Sequence, residues 1–224
     1  MKYNIQTRGA NTKERWEQSH QKGVAEWAQY SDQDLENLIK NNWYHYVYVM
    51  DGVIADRKTF KYDKILDIGC GPNRCLVYFA EKYPDLKFIG IDFTDTVLEF
   101  AKKYSHVKNI TFKKLDFLEE EIYGNYDVIS MLETLEHTEE GTNHKIVDDL
   151  IQKCKYLYIS VPLDHDPNDG EHISFYDYNS FNRFEVLERA IVSGQGKYIL
   201  NSFEESKIPI VGSHVLMFKL KGKL

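Results

Sequence analysis

Lys64-Ile-Leu-Asp-Ile-Gly-Cys-Gly-Pro-Asn73 decides the fold of this chain. Ile65, Leu66 and Ile68 read as a buried strand, Gly69 and Gly71 follow at once, and a helix-like run continues to Tyr83. A strand that ends in glycines beside a helix N-terminus brings backbone N–H groups close to a ligand. Phe88-Ile89-Gly90-Ile91-Asp92 forms a second strand that ends in a carboxylate, 21 residues after Gly71. An acid so placed can accept hydrogen bonds from the two hydroxyls of a ribose. Together the two strand ends predict an adenosine-containing ligand.

From residue 64 onward strand and helix alternate, the pattern of a parallel sheet covered on both faces. Strands are expected near 64–69, 86–92, 110–115, 126–131 and 156–161, with helices near 74–83, 95–105 and 141–154. A polar loop, Asp164 to Glu171, precedes a helix expected from Asp177 to Ala190. Its acids match no calcium-binding spacing, so a solvated loop over the site is the reading. Tyr198–Glu204 and His214–Leu220 read as two strands joined without a helix. Ahead of the sheet, a weak helix starts at Lys13, with Trp16 and Trp27 as its apolar anchors. Ser31-Asp32-Gln33-Asp34 is similar to a capping box, and one amphipathic helix follows, from Leu35 to Ile54. Its aromatics (Trp43, Tyr44, Tyr46, Tyr48) either pack against the sheet or cap the ligand pocket.

The 224 residues suffice for one well-packed domain plus an appendage. A net charge of −7 and a pI near 5.6 argue against nucleic acid as a partner, since such a footprint is basic. Cys70, Cys75 and Cys154 show no paired or metal-binding spacing, which fits a reducing compartment. Met1 to Ala10 lacks the apolar stretch of a signal peptide, and no apolar run approaches the ~20 residues of a membrane span. A cytoplasmic location is expected.

Ile65-Leu66-Asp67-Ile68-Gly69-Cys70-Gly71-Pro72 resembles motif I of the class I S-adenosylmethionine (SAM)-dependent methyltransferases. The resemblance runs on through Asp92, Leu115-Asp116-Phe117, Tyr126 to Glu133, and Tyr158 to Pro162, covering roughly residues 60 to 220. Asn73 replaces the family's third glycine, and Asn tolerates left-handed backbone angles. The resemblance implies a Rossmann-like α/β fold with a seven-stranded, mostly parallel sheet, helices on both faces and an antiparallel last strand. It implies a SAM-binding domain at 61–224 behind an N-terminal helical appendage or cap at 1–60. The implied enzyme moves a methyl group from SAM to an oxygen or nitrogen of a small-molecule acceptor and releases S-adenosylhomocysteine (SAH). By the same resemblance, Asp67 orients the amino-acid end of the cofactor, while Gly69 and Gly71 face it with bare backbone. Asp92 holds the ribose, Phe93 lies along the adenine, Asp116 accepts from its amino group and Phe117 covers the ring. Leu132 and Glu133 complete the expected cofactor-binding set.

Methyl transfer from a sulfonium is an in-line displacement, and holding the two reactants in line can supply ~7–11 kcal/mol. A base is needed only if the acceptor must lose a proton. Glu133-Thr-Leu-Glu136-His137 is the segment to inspect, because in a helix Glu133, Glu136 and His137 share one face. His172 lies on a loop opening at the same edge. Three readings stand open. His137 or His172 is a general base; or the cluster holds a divalent cation such as magnesium, manganese or iron, resembling that of the ubiquinone-pathway and small-RNA ribose O-methyltransferases; or the segment is structural. His137 and His172 are taken as the catalytic candidates, and the remaining histidines, His20 among them, as surface or packing residues. Two rival functions share these features: a non-catalytic SAM-binding or interaction module, and a nicotinamide-dependent oxidoreductase. The short-chain oxidoreductases need a Tyr-x-x-x-Lys well after the cofactor half, whereas Tyr78/Lys82 and Tyr83/Lys87 come no later than the start of the second strand.

Overall fold

In a computed structural model describing residues 13–59, 61–72, 74–139, 141–163, 172–193, 196–199 and 215–224, the apolar runs become eight strands of one sheet. They are β1 (Lys64–Ile68), β2 (Lys87–Asp92), β3 (Ile110–Lys114), β4 (Tyr126–Leu132), β5 (Cys154–Pro162), β6 (Val186–Ser193), β7 (Gly196–Ile199) and β8 (Val215–Lys221). Their order is β3-β2-β1-β4-β5-β8-β6-β7. β1 to β5 run parallel, and β8 lies antiparallel between β5 and β6. This is the expected sheet with its antiparallel last strand, and β7 adds an eighth strand at the β6 edge. The reversed β8 also separates the sheet from a plain dinucleotide-binding fold.

Both faces of the sheet are covered, so the central strands read as near-continuous apolar runs. Ile65, Val128 and Tyr158 join the core under the N-terminal helices, while Leu66, Ile68, Ile129, Met131 and Leu157 face the other core. α4 (Cys75–Lys82), α5 (Asp95–Tyr104) and α6 (Asn143–Ile151) each bury one stripe, such as Ile146, Val147, Leu150 and Ile151 in α6.

Three helices precede the sheet: α1 (Lys13–Trp27), α2 (Asp32–Asn42) and α3 (Tyr44–Asp56). The single helix expected over 35–54 is broken at Trp43, whose backbone leaves the helical region (φ −123°, ψ 39°). Asn is a weak helix former, so Asn41-Asn42 gives little resistance to the break. The Trp43 ring then packs 5.4 Å from that of Trp27. Ser31 caps α2 by accepting from the Asp34 N–H at 3.3 Å. Arg74, almost fully buried at the glycine turn, ties the α1–α2 junction down through the Tyr30 carbonyl (3.0 Å) and Asp32. The aromatics of this segment divide between both expected roles. Trp43 and Tyr46 border a cavity, whereas Tyr48 packs in the core and donates to Glu188.

The helix expected over 177–190 is absent. Residues 177–184 form successive four-residue turns, and Val186–Ser193 is strand β6. Asp177 holds Ser180 and Asn179 through its own side chain, which is how such residues compete with helix formation. Residues 186–193 instead pair with β8. Asn73, the acidic loop at 164–171 and the stretch 200–214 lie outside the described residues, so β7 covers only the start of the strand expected at 198–204.

Gly52 gives a test of how α3 seats on the sheet. A Cβ there would run into the hydroxyl of Tyr158, which is buried and has no hydrogen-bond partner among the described residues. In an exposed helix Gly→Ala gains about 0.5–1 kcal/mol, but overpacking costs about 1–3 kcal/mol. Gly52→Ala should therefore lower stability in urea denaturation, and adding Tyr158→Phe should recover most of the loss.

Candidate active site

At the carboxyl ends of β1 and β2 the chain turns sharply through Gly69 (φ +69°) and Gly71 (φ +62°), backbone angles that favour glycine. The N–H groups of Gly69 and Cys70 donate to the Ile91 carbonyl at 2.9 and 3.0 Å, locking the turn to β2. A cavity of about 460 Å³ opens over this edge. One wall comes from the strand ends: Gly69, Gly71, Asp92, Phe93, Asp116, Phe117, Leu132, Glu133 and His137. The other comes from the N-terminal helices: Lys13, Trp16, His20, Gly23, Trp43 and Tyr46.

Asp92 is nearly buried, and its carboxylate is held from two sides. Oδ1 accepts from the N–H and the hydroxyl of Thr94, both at 3.0 Å, and Oδ2 accepts from the Gly71 N–H at 3.2 Å. Asp116 accepts from the Leu118 N–H at 3.1 Å and pairs with Lys13 Nζ at 2.6 Å. Asp67, expected at the amino-acid end of the cofactor, stands behind the cavity wall rather than on it. It accepts from Ser130 at 2.6 Å and from the hydroxyl of Tyr46 at 2.9 Å, and Tyr46 does border the cavity. Burial pushes the Asp67 carboxyl up to about 7.

The segment after β4 is not the helix that would align Glu133, Glu136 and His137. Only Leu135–His137 makes a short 3₁₀ turn, and Glu133 sits before it in a left-handed conformation (φ +48°). There Glu133 accepts from the Ser160 hydroxyl at 2.7 Å. Burial raises its carboxyl to about 7. Glu136 turns the other way. Both of its oxygens are buried without a hydrogen-bond partner among the described residues. Burial, with the Glu133 charge added, raises its carboxyl well above the usual range. The Glu136 carbonyl accepts from Ile173 and Ser174 N–H (2.9 and 3.1 Å), which draws the loop after β5 to the turn. That brings His172 to His137, with ring centroids 5.1 Å apart. Glu136, His137 and His172 offer donor atoms that all lie within 4.8 Å of one another. His137 borders the cavity, and His172 opens into a small adjoining cleft with Glu136, Ser174 and Phe175.

Three wall residues escaped the sequence reading. His20, taken there as surface or packing, lies with Nδ1 2.9 Å from Thr94 Oγ1 and 4.0 Å from Asp92 Oδ1. Trp16 sets its ring edge-on to His137 at 4.5 Å, and Lys13 holds Asp116. Their spacing along one predicted helix was the available signal.

Residues 60–162 match the family model described as "Methyltransferase domain". An uncharacterized protein of Rickettsia prowazekii is 43% identical over 70 residues, 30% of this chain and 28% of that one. The chain thus spans less than a third of that relative's length. Among solved structures, the N-methyltransferase NodS from Bradyrhizobium japonicum, in complex with SAH, superposes with a TM-score of 0.59 at 15% identity, covering 93% of this chain and 99% of that one. The magnesium protoporphyrin IX methyltransferase of Synechocystis, with bound SAH, gives 0.62 at 13% identity, covering 91% and 94%. With its sheet order and its domain match, this chain has the class I SAM-dependent methyltransferase fold.

Proposed function

We propose that this chain is a SAM-dependent methyltransferase acting on an oxygen or nitrogen of a small-molecule acceptor. One observation carries the reading: Asp92, tethered by three hydrogen bonds, faces a cavity floored by the bare backbone of Gly69 and Gly71. The glycine turn receives the amino-acid end of SAM, Asp92 the ribose, and the Phe93, Asp116 and Phe117 region the adenine. The sulfonium methyl then points toward Leu132, Glu133 and His137, with Trp16, Trp43 and Tyr46 as an aromatic wall suited to a flat ring. In the in-line step the acceptor oxygen or nitrogen bonds the methyl carbon as the carbon–sulfur bond breaks, leaving SAH. His137 takes the acceptor proton where one must leave, and His172 stands behind it. Residues 1–60 serve as the cap of a methyltransferase domain at 61–224. All three cysteines are buried and none of them forms a disulfide among the described residues, which supports a reducing, cytoplasmic setting. No described helix is long and apolar enough to cross a membrane.

Glu136 favours a second reading, in which His137 is a metal ligand and not the base. A buried carboxylate whose two oxygens have no hydrogen-bond partner among the described residues, with His137 Nε2 3.8 Å from Oε1, is costly unless a cation or a proton meets it. One carboxylate and two imidazoles are a donor set for manganese or iron, and magnesium fits if Glu133 turns toward it. Glu136, His137 and His172 would hold the ion, which would polarise a hydroxyl acceptor.

Two experiments test this reading. Calorimetric titration with SAH should show binding, and Asp92→Ala should weaken it roughly ten- to hundredfold, the range for losing one charge-assisted hydrogen bond of about 1.5–3 kcal/mol. No heat with the unaltered chain would overturn the assignment. The cation is tested by thermal melting against pH. Asp67, Glu133 and Glu136 are raised in the fold, so the folded chain holds protons that the unfolded chain has lost, and stability falls as pH rises through their folded values. His45 and His20, both lowered by burial, act oppositely below 6.5 and are spent above it. Tm should therefore fall from pH 6.5 through about 7, where Asp67 and Glu133 ionise, and further above it as Glu136 does. Manganese alone should offset that fall, because it binds only the ionised carboxylate. Glu136→Gln should remove the part of the fall above pH 7 and abolish the manganese effect. An unaltered Tm with manganese at the upper pH would dispose of the metal.

A further inference from the structure

Lys13, Trp16, His20, Gly23 and Trp27 recur every three or four residues along α1 and all border the cavity, so one helical face closes it. Gly23 lets that face lie against the glycine turn, since a Cβ there would come within 2.6 Å of the Pro72 ring. From this seat α1 reaches Asp116 through Lys13, the Thr94–Asp92 pair through His20, and His137 through Trp16.

The hydrogen-bond directions at His20 follow from its neighbours. The Thr94 hydroxyl spends its one hydrogen on Asp92 Oδ1, so its oxygen must accept from His20 Nδ1–H. Burial lowers the His20 pKa and keeps the ring neutral, which leaves Nε2 as an acceptor. Asp92 already accepts three hydrogen bonds, and a carboxylate has about four such sites. It has room for one ribose hydroxyl and not for both.

We propose that His20 is a nucleoside-binding residue whose Nε2 accepts the second ribose hydroxyl beside Asp92. This rests on the SAM reading above and refines it: the ribose is shared between the end of β2 and α1. Cofactor binding and seating of α1 are then one equilibrium, and the helix that takes the hydroxyl also brings Trp16 against His137.

The test is calorimetric titration of the full chain with SAH and with its 2′-deoxy and 3′-deoxy analogues. The unaltered chain should lose affinity for both analogues. His20→Phe, which keeps an aromatic ring without the acceptor, should weaken SAH about three- to tenfold, the range for one neutral hydrogen bond. It should also become indifferent to the loss of one of the two hydroxyls. His20→Gln, with an acceptor near the Nε2 position, should recover most of both effects. If His20→Phe weakens all three ligands by the same factor, or none, His20 only packs and the proposal fails. An unaltered chain that binds none of the three overturns the cofactor reading instead. A readout without substitution is the 15N shift of His20 Nε2, which should move upfield when SAH is added. No movement would contradict the proposal.

Discussion

The structure depends on a carboxylate held still at the end of a strand. Asp92 is fixed by Gly71 from β1's turn and by Thr94 from the start of α5, so the last residue of β2 ties three elements at one point. None of those partners needs to move for a ribose to bind, because each contacts Asp92 from the protein side. Preorganisation of this kind lowers the ordering cost of binding and leaves more of the interaction free energy for affinity. The parallel order of β1, β2 and β4 makes the point possible, since it brings their carboxyl ends to one edge, where the cavity opens.

Around that point lie three acids that the fold keeps out of water: Asp67, Glu133 and Glu136. They differ in what meets them. Asp67 has two hydroxyl donors and serves as a support for Tyr46. Glu133 has Ser160. Glu136 has no hydrogen-bond partner for either oxygen among the described residues, although two histidine rings stand nearby. Strained or unsatisfied groups persist where the surrounding structure over-determines them, and such places cluster at functional sites. The left-handed Glu133 belongs to the same pattern, for it separates two acids that a regular helix would have aligned.

What was legible in the sequence was whatever local chemistry dictates. Glycines after a buried strand, acids at strand ends and apolar runs with helical spacing between them fixed β1 to β5, and the positions of Asp92, Asp116 and His137 followed. What was illegible depended on contacts distant in the chain. Val186–Ser193 has no local mark of a strand, and becomes one because β8 returns beside it. The break at Trp43 follows from packing on Trp27, a residue in another helix. His20 looked like any histidine on a polar helix until α1 laid it against Thr94, 74 positions away. Asp67 stands behind the cavity wall, because a residue two before the turn sits inside the sheet rather than at its rim.

The central claim is that a sulfonium nucleoside lies over the glycine turn with its ribose against Asp92. A crystal structure of the chain grown with SAH tests it most directly. The account predicts one ribose hydroxyl within hydrogen-bond distance of Asp92, the adenine between Phe93 and Phe117, and the sulfur facing His137. SAH found elsewhere, or bound here with its ribose turned away from Asp92, would contradict it.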